Sequence, residues 1–246
     1  MAEMRLDKFL AQVGSLSRTE AGRAVRAGRV WVNGCPAAAA DRKVNPTEDH
    51  IFLDGRELQY TPYVYVMLNK PQGYVSATDD EREKTVLELL PLELQKRGLF
   101  PCGRLDKNTV GLMLLTDNGA MAHFLLSPKR HVSKTYVFHA KEPVTEAMKQ
   151  CLEKGVDIGG YVTKPCSVEI LPLGGTITLT EGKYHQIKKM LCAVGNEVTA
   201  LERVTFGPLA LDSRLERGQW RFLTKTEIAA LENACLCPIK ENKSNK

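Results

Sequence analysis

The 246-residue chain is 43% apolar, 26% charged and 7% aromatic, enough for a buried core in one large or two unequal domains, which excludes a largely disordered polypeptide. Its 34 Lys and Arg against 29 Asp and Glu leave a formal charge of +5, too slight by itself to indicate nucleic acid. No run approaches the roughly 20 apolar residues of a membrane span, the first ten residues lack an apolar signal core, and seven scattered cysteines and five histidines show no metal-ligand spacing, so a cytoplasmic, metal-free protein is expected.

In chain order, Leu6, Phe9, Leu10 and Val13 recur at helical spacing, and Gly14 stops that helix. Ser17-Arg18-Thr19-Glu20 fits a capping box that opens a second helix, with Gly28 as its C-terminal stop. Val30-Trp31-Val32 alternates into an Asn33-Gly34 turn, and Ile51 to Leu58 read as a hairpin around Asp54-Gly55. Residues 1–45 hold eight basic and four acidic side chains, leaving +1 for the rest, so the excess charge is expected in this segment. Arg23 and Arg26 share a helix face, and Arg5, Lys8, Arg18 and Arg29 flank it. Such a face is either plainly solvated or an electrostatic footprint for phosphates. The order of helix, capped helix, basic face and V-W-V-N-G strand resembles the S4 RNA-binding domain, carried mainly by Arg5-Leu6-Asp7-Lys8 and Val32-Asn33-Gly34.

A linker is expected at residues 59–62. From Tyr63 onward strands and helices mix without a βαβ rhythm: strands at Val64–Leu68 and Val110–Leu115, a short helix at Val86–Leu90, and period-two alternation over His131–Ala140 and Thr176–Thr180. Tyr184–Val194 is the clearest helix, with Ile187, Met190, Leu191 and Val194 on one face. The fold class expected is α+β, with a mixed, mainly antiparallel sheet flanked by helices over residues 63–234. Residues 235–246 read as a polar, disordered tail.

Four strings hold candidate chemistry. Gly103-Arg104-Leu105-Asp106-Lys107-Asn108-Thr109 places a carboxylate in a loop between cations, where Asp106 suits a turn as well as a nucleophile or base. Glu181 to Met190 opens the clear helix, and its His185 and lysines fit a solvated face as well as a binding one. Lys134, Tyr136 and Phe138 share one face of a strand, where an aromatic ring serves either a core or a stacked nucleobase. Asn69-Lys70-Pro71-Gln72-Gly73-Tyr74 is a turn whose lysine could meet a phosphate.

Taken in order, these strings resemble the motifs of pseudouridine synthases, and Met67 to Val75 with Thr78-Asp79-Asp80 are similar to the RsuA-type branch that acts on 16S ribosomal RNA. Asn118 and Lys183 depart from the commoner Asp and Arg. The resemblance implies that Asp106 starts the conversion of uridine to pseudouridine, that Lys188 pairs with it, and that Tyr136 packs against the target base. It further implies that Ile187 and Leu201 wall the pocket, that Arg104 holds the target nucleotide out of its helix, and that Lys70 supports binding. No metal or cofactor is implied. The expected partner is 16S ribosomal RNA in a small-subunit assembly intermediate, met by a monomer. Two other expectations follow from the same residues: the same chemistry on 23S ribosomal RNA, or a non-catalytic S4-type RNA-binding or ribosome-assembly protein.

Overall fold

The computed structural model describes residues 3–14, 16–58, 60 and 62–236. The tail expected at 235–246 lies outside them from residue 237 onward, and so do Gln59 and Thr61 of the expected linker. The chain divides into two compact units, Met1–Tyr63 and Val64–Lys246.

The first unit follows its local signals closely. Strand β1 (Met4–Arg5) leads into helix α1 (Leu6–Val13), and α2 (Arg18–Arg26) follows. Ser17 Oγ accepts from the Glu20 N–H at 3.2 Å while the Ser17 N–H donates back to the Glu20 carboxylate at 2.7 Å, which satisfies two of the helix's orphan donors. Strands β2 (Val30–Val32) and β3 (Cys35–Pro36) are joined by Asn33 and Gly34, at φ 52° and 78°, the backbone that a two-residue primed hairpin turn requires. Strand β4 (Lys43–Val44) pairs with β1, and β5 (Ile51–Leu53) and β6 (Arg56–Leu58) form the second hairpin. Leu6, Phe9, Leu10, Ala21, Val25, Val30 and Ile51 make its core.

Charge in this unit differs from the sequence expectation. The first 63 residues include Glu48, Asp49, Asp54 and Glu57 against the single added Arg56, so they carry nine basic and eight acidic side chains, a net +1 rather than +4. Arg5 is paired with Asp7 at 2.7 Å and Arg29 makes a two-pronged ion pair with Asp54. Lys8, Arg18, Arg23 and Arg26 are exposed.

The second unit is built on a nine-stranded mixed sheet. Strand β7 (Tyr65–Lys70) is followed by a 3-10 turn (Val86–Leu89), helix α3 (Leu92–Gln95), β8 (Phe100–Pro101) and β9 (Val110–Thr116). Next come α4 (Gly119–Leu126), β10 (Lys134–Ala140), α5 (Glu146–Lys154), β11 (Ser167–Leu171) and β12 (Gly174–Leu179). The described residues end with α6 (Gln186–Ala193), β13 (Val198–Phe206), β14 (Leu209–Ala210), β15 (Trp220–Phe222) and α7 (Lys225–Leu236).

The main strand order is β11-β12-β10-β13-β9-β7-β15, with only β13 and β9 parallel among the named pairs. Along β9, Leu112 and Leu114 join one apolar cluster with α4 and α7, while Met113 and Leu115 join another with Leu87, Leu99 and Leu105. Alternation therefore buries both faces of this strand, which explains its continuous apolar run. Gly111 lies at φ 99° opposite Arg203, and a Cβ there would come within 2.3 Å of the Arg203 carbonyl; only glycine permits the β9–β13 pairing.

Candidate active site

Asp106 sits in the loop between β8 and β9. These strands pair antiparallel, so the loop closes a wide hairpin at the sheet end. Three residues hold its backbone. Lys70, at the end of β7 and fully buried, donates from Nζ to the carbonyls of Pro71 (3.1 Å), Asp106 (3.1 Å), Lys107 (3.2 Å) and Thr109 (2.8 Å). Three ammonium protons thus serve four acceptors. Ser76 Oγ donates to the Leu105 carbonyl at 2.8 Å and accepts from the Leu105 N–H at 2.9 Å. The Gly73 N–H reaches the Lys107 carbonyl at 3.0 Å. The Asn-Lys-Pro-Gln-Gly-Tyr turn is therefore a clamp for the aspartate loop.

This corrects the expectation for Lys70. Its ammonium is spent on main-chain carbonyls inside the protein, where no phosphate reaches it. Burial, despite the nearby Asp106 carboxylate, lowers its pKa to about 8.

On the side-chain face, Lys188 Nζ donates to Asp106 Oδ2 at 2.8 Å, joining residues 82 positions apart. His185 Nε2 stands 3.6 Å from Oδ1. Both carboxylate oxygens thus face a nitrogen from the start of α6, and each of the three side chains keeps about a third of its surface open to solvent. The turn before α6 is held by Glu181, which accepts from Tyr161 Oη (2.6 Å), the Lys164 N–H (3.0 Å) and Gln186 Nε2 (2.7 Å), while Gln186 Oε1 accepts from the Lys183 N–H (2.8 Å). Burial works to raise the Glu181 pKa, but these donors outweigh it and lower it.

The helix starts two residues later than its periodicity suggests, because His185 adopts a left-handed backbone at φ 53°, ψ 33° and becomes the N-cap. His185, which from sequence fits a solvated or structural side chain, is brought to the carboxylate. No periodicity signals this, because His185 lies outside the helix and its left-handed backbone is set by tertiary contacts.

Tyr136, on β10 between Ile177 of β12 and Arg203 of β13, packs against two apolar clusters, one containing Leu105 and the other Ile187 and Leu201. It thus bridges the aspartate loop and the α6 side of the sheet. Ile187 and Leu201 are buried in that second cluster. Arg104 is exposed, two residues from Asp106, with no hydrogen bond or ion pair to any described residue. Asn118 uses what an aspartate lacks: its Nδ2 donates to Tyr65 Oη at 2.8 Å while its Oδ1 caps α4 through the Met121 N–H. Among the described residues no group of three or more His, Cys, Asp or Glu is arranged to hold a metal, and no helix is long and apolar enough to cross a membrane.

Comparison with known proteins gives concordant matches. The family profile described as RNA pseudouridylate synthase matches residues 64–193, and the S4 domain profile matches residues 4–51. The chain is 47% identical to the uncharacterized RNA pseudouridine synthase YtzG of Bacillus subtilis over 93% of this chain and 98% of that one. It is 42% identical to ribosomal small subunit pseudouridine synthase A of Escherichia coli over 93% and 100% of the two chains. A solved structure described as a pseudouridylate synthase aligns with a TM-score of 0.66 and 38% identity, covering 93% of this chain and 99% of the other.

Proposed function

The chain belongs to the RNA pseudouridylate synthase family, and from that premise we propose that Asp106 initiates the isomerisation of a uridine in the 16S ribosomal RNA of the small subunit. The reaction breaks the bond from uracil N1 to ribose C1′, turns the base, and joins C5 to C1′; the C5 proton is lost and N1 gains one, so nothing else enters or leaves. The observation that carries the reading is the Asp106–Lys188 contact at 2.8 Å, formed between two motifs far apart in sequence at the rim of an apolar wall.

In this reading Asp106 acts on the target as nucleophile or base, Lys188 orients and neutralises its carboxylate, and Tyr136 lies against the base, with Ile187 and Leu201 behind. The unpaired Arg104 guanidinium holds the RNA strand near the loop, because chemistry on a base requires that base to leave its stack. Lys8, Arg18, Arg23 and Arg26 of the S4 unit supply salt-sensitive grip on phosphates, which positions the enzyme without reading sequence. The small-subunit target is supported by the identity to the Escherichia coli enzyme over its whole length. The protein acts as a cytoplasmic monomer on an assembly intermediate of that subunit.

Pseudouridine mapping of ribosomal RNA from cells lacking the gene tests the target. One missing small-subunit site is expected; a missing 23S site instead would move the substrate to the large subunit. Asp106→Asn should abolish pseudouridine formation and retain RNA binding, and appreciable turnover by that variant would refute the role of Asp106.

A further inference from the structure

Tyr184 is 70% exposed and belongs to none of the apolar clusters, yet it is not a loose side chain. Its ring lies face to face with that of His185, centroids 3.8 Å apart and planes inclined by 20°. Consecutive residues of a helix or strand point in different directions, so two neighbouring rings stack only where the backbone leaves regular geometry. Here it does so at His185, whose positive φ is an uncommon conformation for a residue with a side chain. Strain of this kind persists where the surroundings enforce it, and it clusters at functional sites. The enforcing contacts are the Glu181–Gln186 and Gln186–Lys183 hydrogen bonds on either side of the pair.

The stack has a direction. His185 presents the Nε2 edge of its ring to Asp106 at 3.6 Å while a face of the same ring is covered by Tyr184, so the imidazole links the carboxylate to the exposed phenol ring. One cation accompanies it: Lys189 Nζ lies over the Tyr184 ring, 5.5 Å from its centroid, whereas Lys183 lies over Tyr161 and Lys188 is engaged by Asp106. A largely exposed aromatic ring next to the residue that contacts Asp106, accompanied by one mobile-stemmed ammonium group that a base can displace toward its phosphate, has the features of a subsite for single-stranded nucleic acid.

We propose that the Tyr184–His185 pair is a stacking platform for an unpaired nucleobase flanking the target uridine, with Lys189 meeting that nucleotide's phosphate. The proposal rests on the reading of Asp106 as the residue that acts on the target. Because His185 rather than Tyr184 contacts Asp106, the base that Tyr184 receives is a neighbour of the uridine that reacts. Every base has a π-face, so the platform selects an unstacked strand rather than a particular letter.

Steady-state kinetics on small-subunit assembly particles built on transcribed 16S ribosomal RNA read the platform through three variants. Tyr184→Ala and Tyr184→Leu should raise KM about 5- to 150-fold, the worth of one stacked base, with the effect in KM rather than kcat. Tyr184→Phe, which keeps a flat ring, should hold KM near the wild-type value. At such an exposed position all three should keep the wild-type melting temperature. Independently of turnover, irradiation of the Asp106→Asn variant with the same particles built on 4-thiouridine-substituted 16S transcript should crosslink the segment Lys183–Lys188, and adding Tyr184→Ala should remove that crosslink. Wild-type KM in the Ala and Leu variants, or crosslinks confined to other segments, would overturn the platform. A protein that makes no pseudouridine yet shows the Tyr184-dependent crosslink would instead refute the catalytic assignment and leave the platform standing.

Discussion

Two lysines near Asp106 perform opposite tasks, and burial separates them. Lys188 is a third exposed and faces the carboxylate, whereas Lys70 is fully buried and faces the loop's carbonyls. Lys188→Met should leave the fold intact and reduce pseudouridine formation at least about tenfold, because the carboxylate loses the group that orients it; an undiminished single-turnover rate would exclude the pairing role. Lys70→Met strands several main-chain acceptors, at about 1–3 kcal/mol for each one left without a partner. It should therefore lower the melting temperature by several degrees and speed hydrogen exchange of the amides from Gly103 to Thr109. Exchange at wild-type rates would show that Ser76 and Gly73 suffice to hold the loop.

At the scale of elements, helix starts are readable wherever a capping signature precedes them. Ser17-x-x-Glu20 is one case; Thr224-Lys225-Thr226-Glu227 bears the same signature and forms the same reciprocal bonds, with the Thr224 N–H donating to Glu227 at 2.8 Å and the Glu227 N–H to Thr224 Oγ1 at 3.2 Å. Glu227 also ties α7 to the edge strand β15 through Arg221, at 2.8 Å to each carboxylate oxygen. The Arg221 hydrogen bond leads the shift of its pKa from 4.5 down to about 2. A carboxyl depressed on folding contributes stability that is complete above the unfolded value and lost as pH falls through the folded one. Melting temperature should therefore decline between about pH 4.5 and 2, and Glu227→Gln should flatten that decline. Part of it should survive, because Arg214 and Arg221 also hold Asp212 well below the usual carboxylate range. An identical acid profile in the variant would exclude this anchor.

For the whole molecule, charge is informative only when divided at the structural boundary. A cut after residue 45 assigns the excess to the N-terminal segment, but the compact unit continues through two acidic turns to residue 63 and is nearly neutral. Four of its nine basic side chains, Lys8, Arg18, Arg23 and Arg26, stand exposed on α1 and α2, while Asp54 and Glu57 belong to the later hairpin and Asp49 to the turn before it. What reaches RNA is this local arrangement rather than a net charge. Replacing Arg18, Arg23 and Arg26 by Gln should weaken binding to ribosomal RNA. It should also flatten the dependence of log affinity on log salt, by about 0.7 for each single-strand phosphate that the protein no longer neutralises. An unchanged salt slope would place the RNA-binding face elsewhere.

The amino-acid sequence alone determined the capped helices, the two hairpin turns and the α+β class, because caps, positive-φ turn residues and side-chain periodicity act over a few neighbouring residues. Through motif order it also determined the family resemblance that the comparisons support. Tertiary structure decided which side chains meet. Lys188 and Asp106 are 82 residues apart and their contact depends on where β9, β13 and α6 settle; Lys70 turns inward because the aspartate loop offers carbonyls that only a buried donor can satisfy. His185 reaches the carboxylate because one residue leaves helical geometry. The +5 of the chain belongs to composition, but its useful part, four exposed cations on two short helices, exists only once the fold sets the helices apart from the acidic hairpin of the same unit.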